Sequence, residues 1–185
     1  KTSDNVSVSS FTTDTTAPTM NQVTAVNNQT NDNTSRYTFR FSEADGNHRD
    51  RHSIPTRRNA DMDNNTITFN ALADGPYSNC KIYVTDNASN TSDNLSVSSF
   101  TLDTTAPTLN QVTAVTNPTN DNTSSYTFSS TEAGTISYGG SCSSSSDNAT
   151  KDNNAIPFNA LADGPYGNCK ISVTDNASNT SDNLS

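Results

Sequence analysis

The 185-residue chain contains no tryptophan, two methionines and two histidines. Aromatics make up 7% of the residues, so there is little from which to build a sugar-stacking platform. Lys and Arg number 10 against 19 Asp and Glu, for a formal net charge of −9. Phosphate backbones are held by Lys and Arg, so this deficit argues against a nucleic-acid partner. An acidic balance permits divalent cations and equally suits a solvated surface. No run of 18 apolar residues occurs, which argues against membrane insertion through a helix. There is no initiator Met and no charged-then-apolar leader, so no signal peptide is visible. The hydrophobic fraction, 29%, approaches the disordered range. No stretch sustains an apolar period of 3.6, which leaves helices without a basis. A glycine-rich phosphate loop, an HExxH pair and a nucleophile elbow are all absent. Paired acids could serve a glycosidase, but here they fall in turns rather than a cleft. The sequence is not expected to be an enzyme.

What is present is self-similarity. Asp14-Thr15-Thr16-Ala17-Pro18 returns as Asp103-Thr104-Thr105-Ala106-Pro107, 89 residues later, and the same offset aligns most of the chain with itself. Val6-Ser7-Val8-Ser9-Ser10-Phe11 likewise returns as Leu95-Ser96-Val97-Ser98-Ser99-Phe100. The expected organisation is the last strand of a preceding repeat in 1–13, a first repeat in 14–102 and a second in 103–185 whose final strand is incomplete. The DTTAP stretch is then a joint, and its proline suits a short stiff connector.

Short alternating runs between Asn, Asp, Ser and Gly clusters predict strands, most clearly in the second repeat. The expected strands are Thr108–Val115, Ser125–Thr131, Thr135–Cys142, Ala155–Leu161 and Asn168–Thr174, followed by a last one near the end. Tyr126, Phe128, Ile136, Tyr138, Ile156, Phe158, Cys169, Ile171 and Val173 should point inward, with Lys170 and Ser172 outward. Val112 and Ala114 should share one face. The fold class is all-β, a tandem of immunoglobulin-like sandwiches with a repeat of about 89 residues.

Three motifs carry a resemblance. They are Leu161-Ala162-Asp163-Gly164-Pro165-Tyr166, Val173-Thr174-Asp175-Asn176-Ala177-Ser178-Asn179-Thr180-Ser181 and Phe100-Thr101-Leu102-Asp103-Thr104-Thr105-Ala106-Pro107. The pattern resembles bacterial immunoglobulin-like (Big-type) tandem repeats of large surface proteins and adhesins, over nearly the whole chain. One departure is Ser178, where that family often has Gly. The resemblance implies an extracellular stalk or filament on a bacterial surface, with neighbouring repeats of the same chain, and other copies in a fibre, as partners. The ligand of any head domain is left open. A binding module for a glycan or protein and a spacer within a secreted enzyme are the competing readings.

In such a sandwich, Asp103, Glu132 and Asp175 fall at the top of the second repeat, and Asp32 and Asp74 at the bottom of the first. Five acids from distant places would meet at one junction, and calcium takes six to eight oxygen ligands. The resemblance to calcium-loaded adhesin stalks suggests a junction calcium site. Asp14, Glu43 and Asp86 are the equivalent upstream set. The competing explanation is that Asp and Asn sit in turns because they hydrogen-bond their own backbone. Asp121 and Asp163 would face a following repeat.

Cys142 falls at the end of one expected strand and Cys169 at the start of its neighbour, so a disulfide is feasible; the alternative is two buried thiols. Closing this loop would contribute roughly 3 kcal/mol and place the protein in an oxidising compartment. Cys80 matches Cys169, but Ser53 stands where Cys142 would be, so Cys80 is expected to remain a buried thiol with intermolecular pairing open. The segment Asp45–Met62 departs from its partner. All six Arg (Arg36, Arg40, Arg49, Arg51, Arg57, Arg58) and both His (His48, His52) lie in or near it, where the second repeat has Gly134 to Cys142. It is a basic binding loop, a weak zinc set of His48, Asp50 and His52, or a neutral replacement such as a compensated reading-frame shift. Losing the partners of Ile136 and Tyr138 should weaken that strand. Tyr77 and Tyr166 resemble tyrosine corners, a structural role.

Overall fold

The computed structural model describes residues 7, 9–42, 46–49, 57–60 and 64–185, with only the backbone at 46–49 and 57–60. Among the described residues the strands are, in order, β1 (Met20–Thr24), β2 (Gln29–Thr30), β3 (Arg36–Phe41), β4 (Gly46–Arg49), β5 (Arg57–Ala60), β6 (Asn65–Thr68), β7 (Gly75–Tyr77), β8 (Lys81–Thr85), β9 (Leu95–Ser96), β10 (Phe100–Leu102), β11 (Leu109–Thr113), β12 (Ser125–Ser130), β13 (Gly134–Gly139), β14 (Asn148–Ala149), β15 (Asp152–Pro157) and β16 (Lys170–Asp175). Among the described residues there is no helix. The chain is all-β, with several sheets, as the period-2 alternation predicts.

Two compact units form. Unit 1 comprises 1–26, 34–72 and 77–99; unit 2 comprises 27–33, 73–76 and 100–185. Two short turns from the first hundred residues therefore cluster with the second half of the chain.

In unit 2, β11-β12-β15 form one antiparallel sheet and β14-β13-β16 another. Phe128 and Ile156 from the first and Ile136, Ile171 and Val173 from the second share one buried cluster. Two sheets around one core are consistent with a β-sandwich. Tyr126 and Tyr138 pack against that core half-buried, and the Tyr138 hydroxyl donates to the Ser146 carbonyl at 2.5 Å. Val112 and Ala114 do share a state, since both are exposed; the strand packs through Leu109 and Val115 instead, across a register shift between Gln111 and Thr113. Such a bulge re-aims the residues that follow it. β15 begins three residues earlier than the alternation of apolar residues indicates. β14 carries no sequence signal beyond Ala149.

In unit 1, β1-β3-β6 repeats the pairing of β11-β12-β15 residue for residue. Met20 faces Phe41 as Leu109 faces Ser130, and Arg36 faces Thr68 as Ser125 faces Pro157. Tyr37, Phe39, Ile82 and Val84 are fully buried. The described part of Asp45–Met62 behaves differently. β13 pairs with β16 at six positions, Ile136 opposite Val173. β4 pairs with β8 at three, and His48, not Asn47, stands opposite Val84. This is a slip of one residue. Register in a sheet is fixed by the apolar pattern, and Asn47 and Arg49 supply none where Ile136 and Tyr138 stand. Asp50 and His52 lie outside the described residues.

A disulfide joins Cys142 and Cys169, with Cα atoms 5.2 Å apart. The approach depends on Gly140, at φ +75°, where a Cβ would collide with the Asn168 carbonyl. Asn168 Oδ1 in turn accepts the Ser141 N–H at 3.2 Å. Cys80 is a half-buried thiol outside this bridge. The bridge suggests a non-cytoplasmic protein. No helix of the described residues is long and apolar enough to cross a membrane.

Candidate cation site

Three of the acids named from the sequence come together in unit 2. Asp103 follows β10, Glu132 follows β12, and Asp175 ends β16. One carboxylate oxygen from each lies within 4.8 Å of the others. Asp175 is buried; Asp103 and Glu132 are half-buried.

Local turns hold the side chains of Asp103 and Asp175 and the backbone of Glu132. Asp103 Oδ1 accepts the Thr105 N–H at 3.0 Å. The Ser130 hydroxyl donates to the Glu132 carbonyl at 2.6 Å, closing the turn after β12. Gly134 then starts β13 where any Cβ would strike the Thr174 carbonyl, so the Glu132 turn lies tight against the end of β16. Asp175 Oδ1 accepts N–H groups from Ala177 (2.8 Å) and Asn179 (2.9 Å), and Oδ2 accepts Asn179 Nδ2 at 2.9 Å. The same Asn179 amide donates to the Asp103 carbonyl at 2.8 Å, tying the first and last acids together. Ser178 completes the turn at φ +76°, with its N–H donating to the Asp175 carbonyl at 3.2 Å.

Three like charges this close repel. At an effective dielectric near 20, pairs within 4.8 Å each cost at least about 3.5 kcal/mol before salt screening. Burial first, and then the charges of Asp103 and Asp175, push the Glu132 carboxyl above its ordinary value, while Lys151 opposes them. Gln29, Thr101, Thr131 and Asn176 complete an open groove of about 400 Å³ around the three acids. Lys151 lines the same groove, and the three carboxylates together could hold a metal ion.

The other two junction acids are placed differently. Asp74 Oδ1 accepts the Thr104 N–H at 3.1 Å and the Thr104 hydroxyl at 2.8 Å, and Oδ2 accepts the Thr105 hydroxyl at 3.1 Å. It grips the DTTAP stretch and lies outside the group of three. The Thr104 hydroxyl, opposed by desolvation and aided by the Thr104 N–H and the Thr105 hydroxyl, holds its carboxyl below the usual range. Asp32 is also outside that group; its N–H donates to Thr30 Oγ1 at 3.1 Å.

The upstream set follows the same plan where it is described. Asn90 donates to Asp86 through both its N–H (2.8 Å) and Nδ2 (2.9 Å), and Nδ2 also reaches the Asp14 carbonyl at 3.1 Å. Glu43 lies outside the described residues. Among the acids expected to face a following repeat, Asp121 Oδ1 accepts the Thr123 N–H and hydroxyl. The Tyr166 hydroxyl donates to the Ala162 carbonyl at 2.8 Å, the bond a tyrosine corner makes.

No protein-family model, curated protein or solved structure matches this chain.

Proposed function

We propose that this chain is a structural spacer: tandem immunoglobulin-like repeats of an extracellular stalk or filament, of the kind that bacterial surface adhesins use, with calcium stiffening the joint. The supporting observation is the treatment of Asp103–Pro107. A loose tether would leave such a stretch without hydrogen-bond partners. Here β10 lies between β2 and β7, Asp103 N–H donates to the Thr30 carbonyl at 3.0 Å, and Asp74 spends its whole carboxylate on Thr104 and Thr105. The acids Asp103, Glu132 and Asp175 flank the same stretch, where a divalent cation would neutralise them and hold it further. A disulfide in a small sandwich with low apolar content fits service outside the cytoplasm.

The test is a calcium titration followed by thermal melting and small-angle scattering, with and without chelator, on the chain and on Asp74→Ala. Calcium should raise the melting temperature and narrow the scattering distribution, and Asp74→Ala should broaden it. If neither calcium nor Asp74→Ala changes the scattering, the stretch is not a stiffened joint and the spacer reading falls.

A further inference from the structure

We propose that the outer face of the β1-β3-β6 sheet in unit 1 binds an acidic linear polysaccharide, one carrying a carboxylate or sulfate on alternate sugars, with Arg36 and Arg40 as the anchors.

The two units differ selectively. Along β3 and β6 most inward positions hold the same residue as their counterparts 89 residues later: Tyr37 and Tyr126, Phe39 and Phe128, Asn65 and Asn154, Ile67 and Ile156. Phe41, where unit 2 has Ser130, is the exception. The outward positions change instead. Arg36, Arg40, Thr66 and Thr68 stand in unit 1 where Ser125, Ser129, Ala155 and Pro157 stand in unit 2. Packing accounts for the first set, since Tyr37, Phe39 and Ile67 are no more than 2% exposed. It does not account for the second. Arg36, Arg40 and Thr68 are exposed, and the same ladder forms in unit 2 without them.

The changed side chains share one face. Successive residues of a strand point to opposite sides, so Arg36, Thr38 and Arg40 form a line along β3. Across the ladder Arg36 stands opposite Thr68 and Thr38 opposite Thr66. On the other side Thr24 stands opposite Thr38, and Asn21 opposite Arg40. A hydrogen bond of 3.0 Å joins the Thr38 and Thr66 hydroxyls and fixes the middle of the row. The face therefore presents two guanidinium groups with hydroxyls between them and an amide at one end. No Asp or Glu occurs within β1, β3 or β6 to neutralise it. All six arginines of this acidic chain belong to unit 1.

Chemistry narrows the ligand. A sheet face does not enclose a small molecule, whereas an extended polymer touches several side chains at once. Four residues of strand set the two arginines about 13 Å apart. Duplex DNA carries a charge every ~1.7 Å, so two cations at this spacing would leave most phosphates unpaired. A polymer charged on every second sugar loses little to that spacing, and its hydroxyls meet the threonine and asparagine groups between the charges. Protein partners dock through an apolar, aromatic centre. Here the one large apolar side chain exposed on these strands is Val23, in the β1 bulge. The grip is made of charge-assisted hydrogen bonds and needs no stacking aromatic. It goes beyond the spacer reading and rests on neither the cation nor the joint.

The test is a titration of the whole chain, followed by amide resonances, with three hexasaccharides: hyaluronate with carboxylates alone, chondroitin sulfate with sulfates added, and neutral maltohexaose. The acidic sugars should shift residues 36–40 and 66–68, less so as salt is raised, and maltohexaose should not. Binding of either acidic sugar supports the proposal, and the tighter one names the anionic group. Arg36→Ser with Arg40→Ser should weaken binding roughly tenfold. Unit 2 holds serine at both places, so this variant keeps its fold, which circular dichroism checks. The reverse transplant, Ser125→Arg, Ser129→Arg, Ala155→Thr and Pro157→Thr, should give unit 2 the same binding. No shift with either acidic sugar at millimolar concentration overturns the proposal, as does binding that the arginine variant leaves unchanged. Hexaglutamate bound as tightly as the acidic sugars would also overturn it, because the face would then read charge alone. Sugar binding without calcium-dependent stiffening would support it and strike the spacer reading only.

Discussion

Ser178 and Ser89 hold left-handed backbone at φ +76° and +74°, in the same turn of each unit. For a residue with a Cβ, that conformation costs about 1–2 kcal/mol. Ser178 is exposed, and the bonds it makes are main-chain ones: its N–H to the Asp175 carbonyl at 3.2 Å, and its carbonyl from Asn31 Nδ2, also at 3.2 Å. Glycine keeps both. Against the relief stands the greater freedom of glycine in the unfolded chain, about 0.5–1 kcal/mol. Ser178→Gly should therefore stabilise unit 2 by about 0.5–1 kcal/mol, a rise of roughly 2–6 °C in melting temperature for a unit of this size. Ser178→Ala keeps the Cβ and should gain nothing. With no tryptophan to report, calorimetry or far-ultraviolet circular dichroism in urea is the assay. Ser89→Gly should act alike in unit 1, and the two effects should add. If glycine is no more stable than alanine at position 178, backbone strain is not what the turn stores.

Other perturbations have equally definite outcomes. Replacing Cys142 and Cys169 by serine should cost about 3 kcal/mol, from the 27-residue separation they close, seen as a drop in urea midpoint. Asp74 is held below the ordinary carboxylate range, so its contribution is present above its unfolded pKa and is lost as pH falls through the folded one; Asp74→Asn should flatten melting temperature against pH on that acid limb. Glu132 is shifted the other way, so its contribution falls as pH climbs above the ordinary carboxylate range, and Glu132→Gln should remove that fall. Asn47→Ile with Arg49→Tyr should restore the apolar pattern of β13 to β4, raise the stability of unit 1 and move the ladder so that residue 47 faces Val84, readable from cross-strand nuclear Overhauser effects.

The strands were readable because their apolar residues alternate. Phe128, Ile156, Ile171 and Val173 each sit two residues from another apolar or aromatic side chain, and all four are buried. β14 was not readable, since two residues with one alanine carry no period. The slip of β4 was out of reach for the opposite reason: a sequence without an apolar pattern does not state its register. Among the acids, turn chemistry brought Asp103, Glu132 and Asp175 to one end of the strands. Position in a turn does not say which way a carboxylate is aimed, so it could not separate these three from Asp74, which the hydroxyls of Thr104 and Thr105 capture. The left-handed backbone of Ser178 was not legible from its residue type, since serine has no preference for positive φ.

The Cys142–Cys169 bridge has a further meaning for a chain under tension. A sandwich pulled open by its ends releases its residues as extended chain at about 3.4 Å each. The loop closed by the bridge spans 27 positions, so about 90 Å of contour stays locked however far unit 2 is stretched. Unit 1 has Ser53 in place of the second cysteine and holds nothing back. Two units of nearly equal length would then rupture with unequal extensions, the shorter marking the bridged one, and a reductant would make them equal.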